Sequence, residues 1–142
     1  MRPIFAALPL AILAGCSSYQ VDEITPVPSE RLMTHQEPAG ERGEVRINRD
    51  VGYLGGGCFV EFLIDRQVAA RIGRGESASF YVEPGQHIVG IGRDHAGEGL
   101  CAKARLKREK LVTVEPGQRY VFRIVSEASS GFDIRPDDSK AP

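Results

Sequence analysis

Tryptophan is absent from this 142-residue chain, and methionine occurs only twice. Phe and Tyr supply six and four residues, so a core has to be built mainly from Val, Ile, Leu and Ala. No apolar run approaches the roughly 20 residues that a membrane-spanning helix requires, which argues against a span. An excess of one charge is missing as well: 18 Lys and Arg stand against 19 Asp and Glu. That balance suggests neither nucleic acid nor a strongly charged membrane surface as partner. The three cysteines form no Cys-x-x-Cys pair. Gly55-Gly56-Gly57 lacks the Lys-Ser/Thr and the following helix of a phosphate loop, and no serine sits in a nucleophile elbow.

What is present begins with Leu13-Ala14-Gly15-Cys16 at the end of an apolar run. Arg2 supplies a positive start, Ile4 to Ala14 is almost wholly apolar, and two small residues lead into a cysteine where polar sequence begins. This is the architecture of a secretory signal, and its ending resembles a bacterial lipobox. The resemblance implies cleavage before Cys16, a diacylglyceryl group on its thiol and an acyl group on the new amine. Ser17, where an Asp would favour inner-membrane retention, points to the periplasmic face of the outer membrane, with surface display as a further option. An ordinary signal with a chance cysteine is the alternative. Stable anchoring takes about two lipid signals, and a triacylated Cys16 exceeds that without help from side chains. With Arg2 removed, 18 basic residues fall to 17 against the same 19 acids. An oxidising compartment then leaves Cys58 and Cys101 to pair as a disulfide between two glycine-rich loops, the alternative being two free thiols in a redox or metal site.

Residues 1–15 are thus expected to be removed, and 16–43 to form the acylated cysteine and a disordered tether. Pro26, Pro28 and Pro38 interrupt that tether, and no period of 2 or 3.6 is sustained. A flexible linker of this length spans about 30 Å. From Glu44 the pattern changes to short strands. Val45 and Ile47 alternate with Glu44, Arg46 and Asn48, and residues 58–65 read as a central strand. Asp65-Arg66-Gln67 connects it tightly to residues 68–72. Val82-Glu83-Pro84-Gly85-Gln86 recurs intact as Val114-Glu115-Pro116-Gly117-Gln118. Pro-Gly at its centre signals a type II turn, so each copy is expected to close a hairpin, with residues 87–91 pairing back on 77–82. Residues 102–110 fit either a helix or a basic edge strand, with Ala104 and Leu106 inward. The fold expected over 44–136 is an all-β, small antiparallel β-sandwich of seven to eight strands, followed by a disordered tail at 137–142.

The order of short motifs resembles a family of small bacterial lipoproteins of unassigned function, of the DUF2846 type. The likeness rests on Arg49-Asp50, a Gly-rich loop into Cys58, and the hairpin Ile64-Asp65-Arg66-Gln67-Val68-Ala69. It continues through Pro84-Gly85-Gln86-His87, Gly99-Leu100-Cys101, and the Gly-x-x-Tyr-x-x-Arg-Ile pattern of residues 117–124. It covers about residues 49–135 and implies a transthyretin/Ig-like sandwich with no catalytic residues to transfer. Many relatives carry Gly where this chain has Arg66-Gln67.

Candidate chemistry is sparse. His87 reads as a partly buried turn or strand histidine and His95 as an exposed loop residue. With Asp94 they are the only tempting metal group, and their spacing matches no zinc signature. Asp50 and Asp65 read as caps or surface ions. The basic run Lys103, Arg105, Lys107, Arg108 and Lys110 is the best candidate for meeting envelope anions, against the blander reading of a solvated edge. Tyr53, Leu54 and Leu100, at loops joined by the expected disulfide, are candidate anchors for a partner. No catalytic residue, cofactor, metal or nucleic acid is expected. The membrane is the expected partner through Cys16, together with an envelope protein or envelope polymer. The sequence favours a structural or protein-interaction module of the envelope, the alternative being a small-ligand, glycan or lipopolysaccharide-binding module. A pocket containing His87 or His95 would promote that alternative; a flat loop-tip patch would support the first.

Overall fold

The computed structural model describes residues 19–20, 22–52, 57–128 and 130–137. Cys16, Tyr53 and Leu54 lie outside the described residues.

The fold is an all-β sandwich, as the alternation and turn spacing predict. Its elements in chain order are β1 (Thr25–Pro26), a 3₁₀ turn (Ser29–Arg31), β2 (Gly43–Arg49), β3 (Val60–Ile64), β4 (Gln67–Ile72), β5 (Glu76–Val82), β6 (Gly85–Gly92), α1 (Leu100–Lys103), β7 (Lys107–Val114), β8 (Arg119–Glu127) and β9 (Gly131–Pro136). One sheet has the order β1-β5-β2-β8-β9 and the other β4-β3-β6-β7. Alternate residues of each strand point between the sheets: Val45, Ile47 and Phe80 from one, Phe62, Ile64 and Ile91 from the other, all buried. The Phe62 and Phe80 rings meet across the gap with centroids 5.0 Å apart.

Both copies of the repeated pentapeptide depart from the expected hairpin. The first carries the chain from β5 in one sheet to β6 in the other, and the second carries it back from β7 to β8. Residues 87–91 therefore pair with β3 and β7, not with β5. Both glycines take positive φ, but only the second copy closes the expected turn, with the Gln118 N–H donating to the Glu115 carbonyl at 3.2 Å; Gly85 already belongs to β6. A Pro-Gly turn reverses the chain, but the strand's partner is chosen by which apolar face has to be covered. Here the reversal spans the ~10 Å between sheets. True hairpins join β3 to β4 and β8 to β9. In the first, Asp65 and Arg66 take φ of 50° and 64° without glycine. This is the left-handed pair that a two-residue hairpin turn demands.

The tether expected at 16–43 is another correction. From Thr25 onward the chain is laid against the open side of the sandwich as a strap. Val27 is in the core, and its N–H donates to the Ser77 carbonyl. Arg31 makes a two-point ion pair with Glu76 at 2.6 and 2.7 Å. The N–H of Met33 donates to Ala69 in β4, and the His35 carbonyl accepts from Tyr81 in β5. The strap thus laces the two sheets together and covers the β4 edge, a fate that proline-broken periodicity does not reveal. Tyr19 pairs with Val51 through two backbone hydrogen bonds of 3.0 Å.

Residues 102–110 divide between the two readings. The first two complete α1, and from Lys107 the chain is the edge strand β7. Leu106 packs against the core, whereas Ala104 is exposed rather than inward.

Candidate functional site

Strand alternation builds a surface on the outer face of the four-stranded sheet. If Phe62 and Ile91 point inward, Glu61, Leu63, Ile88, Gly90 and Gly92 point outward. Register sets them in rows: Leu63 opposite Gly90 opposite Glu109, and Glu61 opposite Gly92 opposite Lys107. Two glycines on one face of β6 leave a trough along that strand, with a volume of about 630 Å³. Its floor is Leu63, Ile88, Gly90 and Gly92, with Leu106 beside them. A Cβ added at Gly90 would come within 2.8 Å of the Arg108 carbonyl, so β6 and β7 approach closely because no side chain intervenes.

The connection 93–106 walls one end of the trough. Asp94 is buried and accepts a bidentate pair from Arg71 at 2.7 and 2.9 Å. Glu61 is buried too, and accepts the backbone N–H and the Nδ1–H of His95, each at 2.9 Å. These two carboxylates pin the connection to the sheet, while the His95 side chain stays 62% exposed. The Cys58–Cys101 disulfide, with Cα atoms 5.4 Å apart, ties the same connection to the start of β3. Arg49 supports this end from inside: its Nη1 donates to the carbonyls of Cys58 (2.9 Å) and Ile72 (2.6 Å). Burial pulls its pKa down to about 10, so it remains a cation at neutral pH. At the other end of the trough Arg66 reaches from the β3–β4 turn to Glu109 on β7 (3.1 and 3.2 Å).

Arg93, Arg105 and Lys107 line the mouth and are exposed. Arg93 and Arg105 make no ion pair among the described residues; Lys107 reaches Glu109 only at 3.9 Å. The site is therefore apolar along its floor and cationic at its mouth.

Of the residues singled out from sequence, His95, Arg105, Lys107 and Arg108 line this site. Leu100 and Lys103 sit on α1, exposed beside the disulfide and outside the trough lining. Asp50 is no surface ion: it is buried and holds Arg123 by two hydrogen bonds of 2.5 and 3.1 Å. Leu63, Ile88, Arg66 and Arg93 were not singled out. Gly90-Ile91-Gly92 was the available signal, since glycines two apart in a strand strip one face of side chains. Among the described residues no group of three or more His, Cys, Asp or Glu is placed to hold a metal.

His87 lies away from the trough. Its Nδ1–H donates to Asp65 at 2.6 Å, and its Nε2 lies 2.7 Å from the Glu83 carbonyl. Burial opposes charge on this ring, but the hydrogen bonds to Asp65 and Glu83 and the charges of both acids outweigh it, so its pKa is raised above 6.5. His35 is shifted the other way, by burial and then by the His87 charge, against the pull of Asp65. Folding therefore favours protonated His87. Its contribution is fully present below pH 6.5 and is lost as pH rises through the folded-state value. NMR titration of the ring protons is expected to place His87 above 6.5 and His35 below it. His87→Gln should flatten the fall in stability on the alkaline side of 6.5; an unchanged profile would refute the assignment.

These features define a disulfide-tied β-sandwich with one amphipathic trough on an open sheet face. No protein-family model matches the chain, and no curated protein or solved structure does either.

Proposed function

We propose that this protein is a lipoprotein of the DUF2846 kind, anchored through Cys16 to the periplasmic face of the outer membrane. It works there by binding an envelope ligand, not by catalysis. The observation that carries the reading is the trough, with its apolar floor, cationic mouth and His95 on its wall. A ligand with an apolar body and an anionic group fits it. A polypeptide lying along the floor would leave backbone N–H and C=O groups unpaired, because a sheet face has already spent its own in the ladder. An alkyl chain brings no such groups. The hydrogen bonds of His87 and His95 go to carboxylates and a carbonyl.

A protein partner is the second reading. It is favoured by the outer edge of β7, where Leu111 is 66% exposed. Photo-crosslinking in cells from position 107 separates the two. Adducts with envelope lipid or lipopolysaccharide support ligand binding, whereas a discrete protein adduct, above all from position 111, supports the second reading. For the anchor, Cys16→Ser is expected to abolish palmitate incorporation and to move the protein from the membrane pellet to the soluble fraction. Full retention in the pellet would remove the lipid anchor from the proposal.

A further inference from the structure

The short reach between Cys16 and the folded domain orients the sandwich. Tyr19, three residues on, is already hydrogen-bonded to Val51. Three residues extend at most about 11 Å. Val51 follows the end of β2, where Arg49 holds the Cys58 carbonyl, so the chain enters at the disulfide end. The two Pro-Gly corners lie at the opposite end. An acyl anchor on Cys16 therefore holds the disulfide end, and not a distant domain, against the bilayer.

That end is built unlike the rest of the surface. Leu100, at 85%, is the most exposed large apolar side chain among the described residues, and it stands on α1 beside the disulfide. Lys103 shares α1 with it, and Arg93, Arg105 and Lys107 stand at the trough mouth at the same end; all four are exposed. Against them, the connection carries exposed Glu98 and the buried Asp94, which is committed to Arg71; Asp22 and Glu23 are exposed just before the strap. The balanced net charge of the chain thus hides a local cationic surface at the end that carries one projecting leucine.

We infer that the disulfide end is a membrane-docking face. Leu100 enters the lipid interface, and Arg93, Lys103, Arg105 and Lys107 engage anionic phospholipid headgroups of the leaflet in which Cys16 is anchored. An exposed aliphatic side chain at the same end as several cations suits an interface that is apolar below and anionic above. Docked this way, the cationic mouth of the trough opens toward the lipids, so a lipid-borne ligand reaches the floor without crossing water. The inference rests on the lipid anchor proposed above.

The absence of tryptophan supplies the test. The full chain, isolated with its lipid, is reconstituted into vesicles of phosphatidylcholine alone or mixed with phosphatidylglycerol, in three single-Trp forms: Leu100→Trp, Leu111→Trp and Gln118→Trp. Flotation with the vesicles checks the anchor first. Leu100→Trp is expected to show blue-shifted emission that is largely lost to brominated lipid, more so with phosphatidylglycerol. Leu111→Trp and Gln118→Trp should keep the emission of a solvent-exposed ring. Adding Lys103→Gln or Arg105→Gln to Leu100→Trp should weaken engagement roughly fivefold per charge removed. Flotation without quenching of Leu100→Trp overturns the docking face and leaves the anchored binding module standing. Equal quenching of Leu111→Trp overturns the end-on orientation. Failure to float removes the anchor and the inference with it.

Discussion

Phe62→Ala is expected to lower the free energy of unfolding by about 3–5 kcal/mol, the range for deleting a large aromatic side chain from a packed core. Phe62 is fully buried at the centre of β3 and meets Phe80 of the opposing sheet, so its loss opens a cavity where the two layers contact. With no tryptophan, few side chains are large enough to collapse into that space. A domain of this size has only about 5–15 kcal/mol in hand, so the variant should sit near the edge of folding. The measurement is a urea melt, with the midpoint falling steeply at an unchanged slope. Leu111→Ser, on the exposed edge, is the control and should move stability by no more than about 0.5 kcal/mol. A shift at Phe62 no larger than the control's would mean that the sheets are not held by this contact.

Opening the Cys58–Cys101 bond is expected to cost about 4 kcal/mol, the chain-entropy value for a loop closed over a separation of 43 residues. The bond restricts the unfolded chain from the start of β3 to α1, including both strands that frame the trough floor. Melts of oxidised protein, reduced protein and the Cys58→Ser/Cys101→Ser double variant test it. The oxidised form should stand apart, and the other two should coincide. Hydrogen exchange should quicken most in the connection 93–106, where Asp94 on Arg71 and His95 on Glu61 would be the remaining ties. Coincident midpoints for all three forms would show that the loop is closed by packing alone.

The strands were legible in the sequence because their signal is local. Val45 and Ile47 alternate with polar neighbours, Pro-Gly marks each corner, and both survive intact in the fold. The disulfide was legible for a different reason: reading Cys16 as a lipid site, as proposed above, leaves Cys58 and Cys101 to pair, and they do. The trough was legible only in fragments. Arg105 and Lys107 stood out as charges, but Leu63 and Ile88 look like any strand residues. Their exposure together depends on Gly90 and Gly92 baring the strand between them. The strap was missed because its stabilising partners, Ser77, Ala69 and Tyr81, lie far along the chain and leave no periodic mark on residues 25–36.

By itself the sequence determined the all-β class and the places where the chain turns, and it favoured the pairing of Cys58 with Cys101 that the structure shows. It also carried the signal at Cys16 from which the compartment is proposed. Only the tertiary structure decided that both Val-Glu-Pro-Gly-Gln corners cross between sheets, that β2 lies parallel to β8, and that residues 25–36 close the sandwich. The division follows from range. A period of two and a Pro-Gly turn are set by the steric preferences of adjacent residues, whereas a strand's neighbour is set by which apolar faces can be buried together at once. That second condition belongs to the whole chain, and the same condition left one sheet face open as a trough.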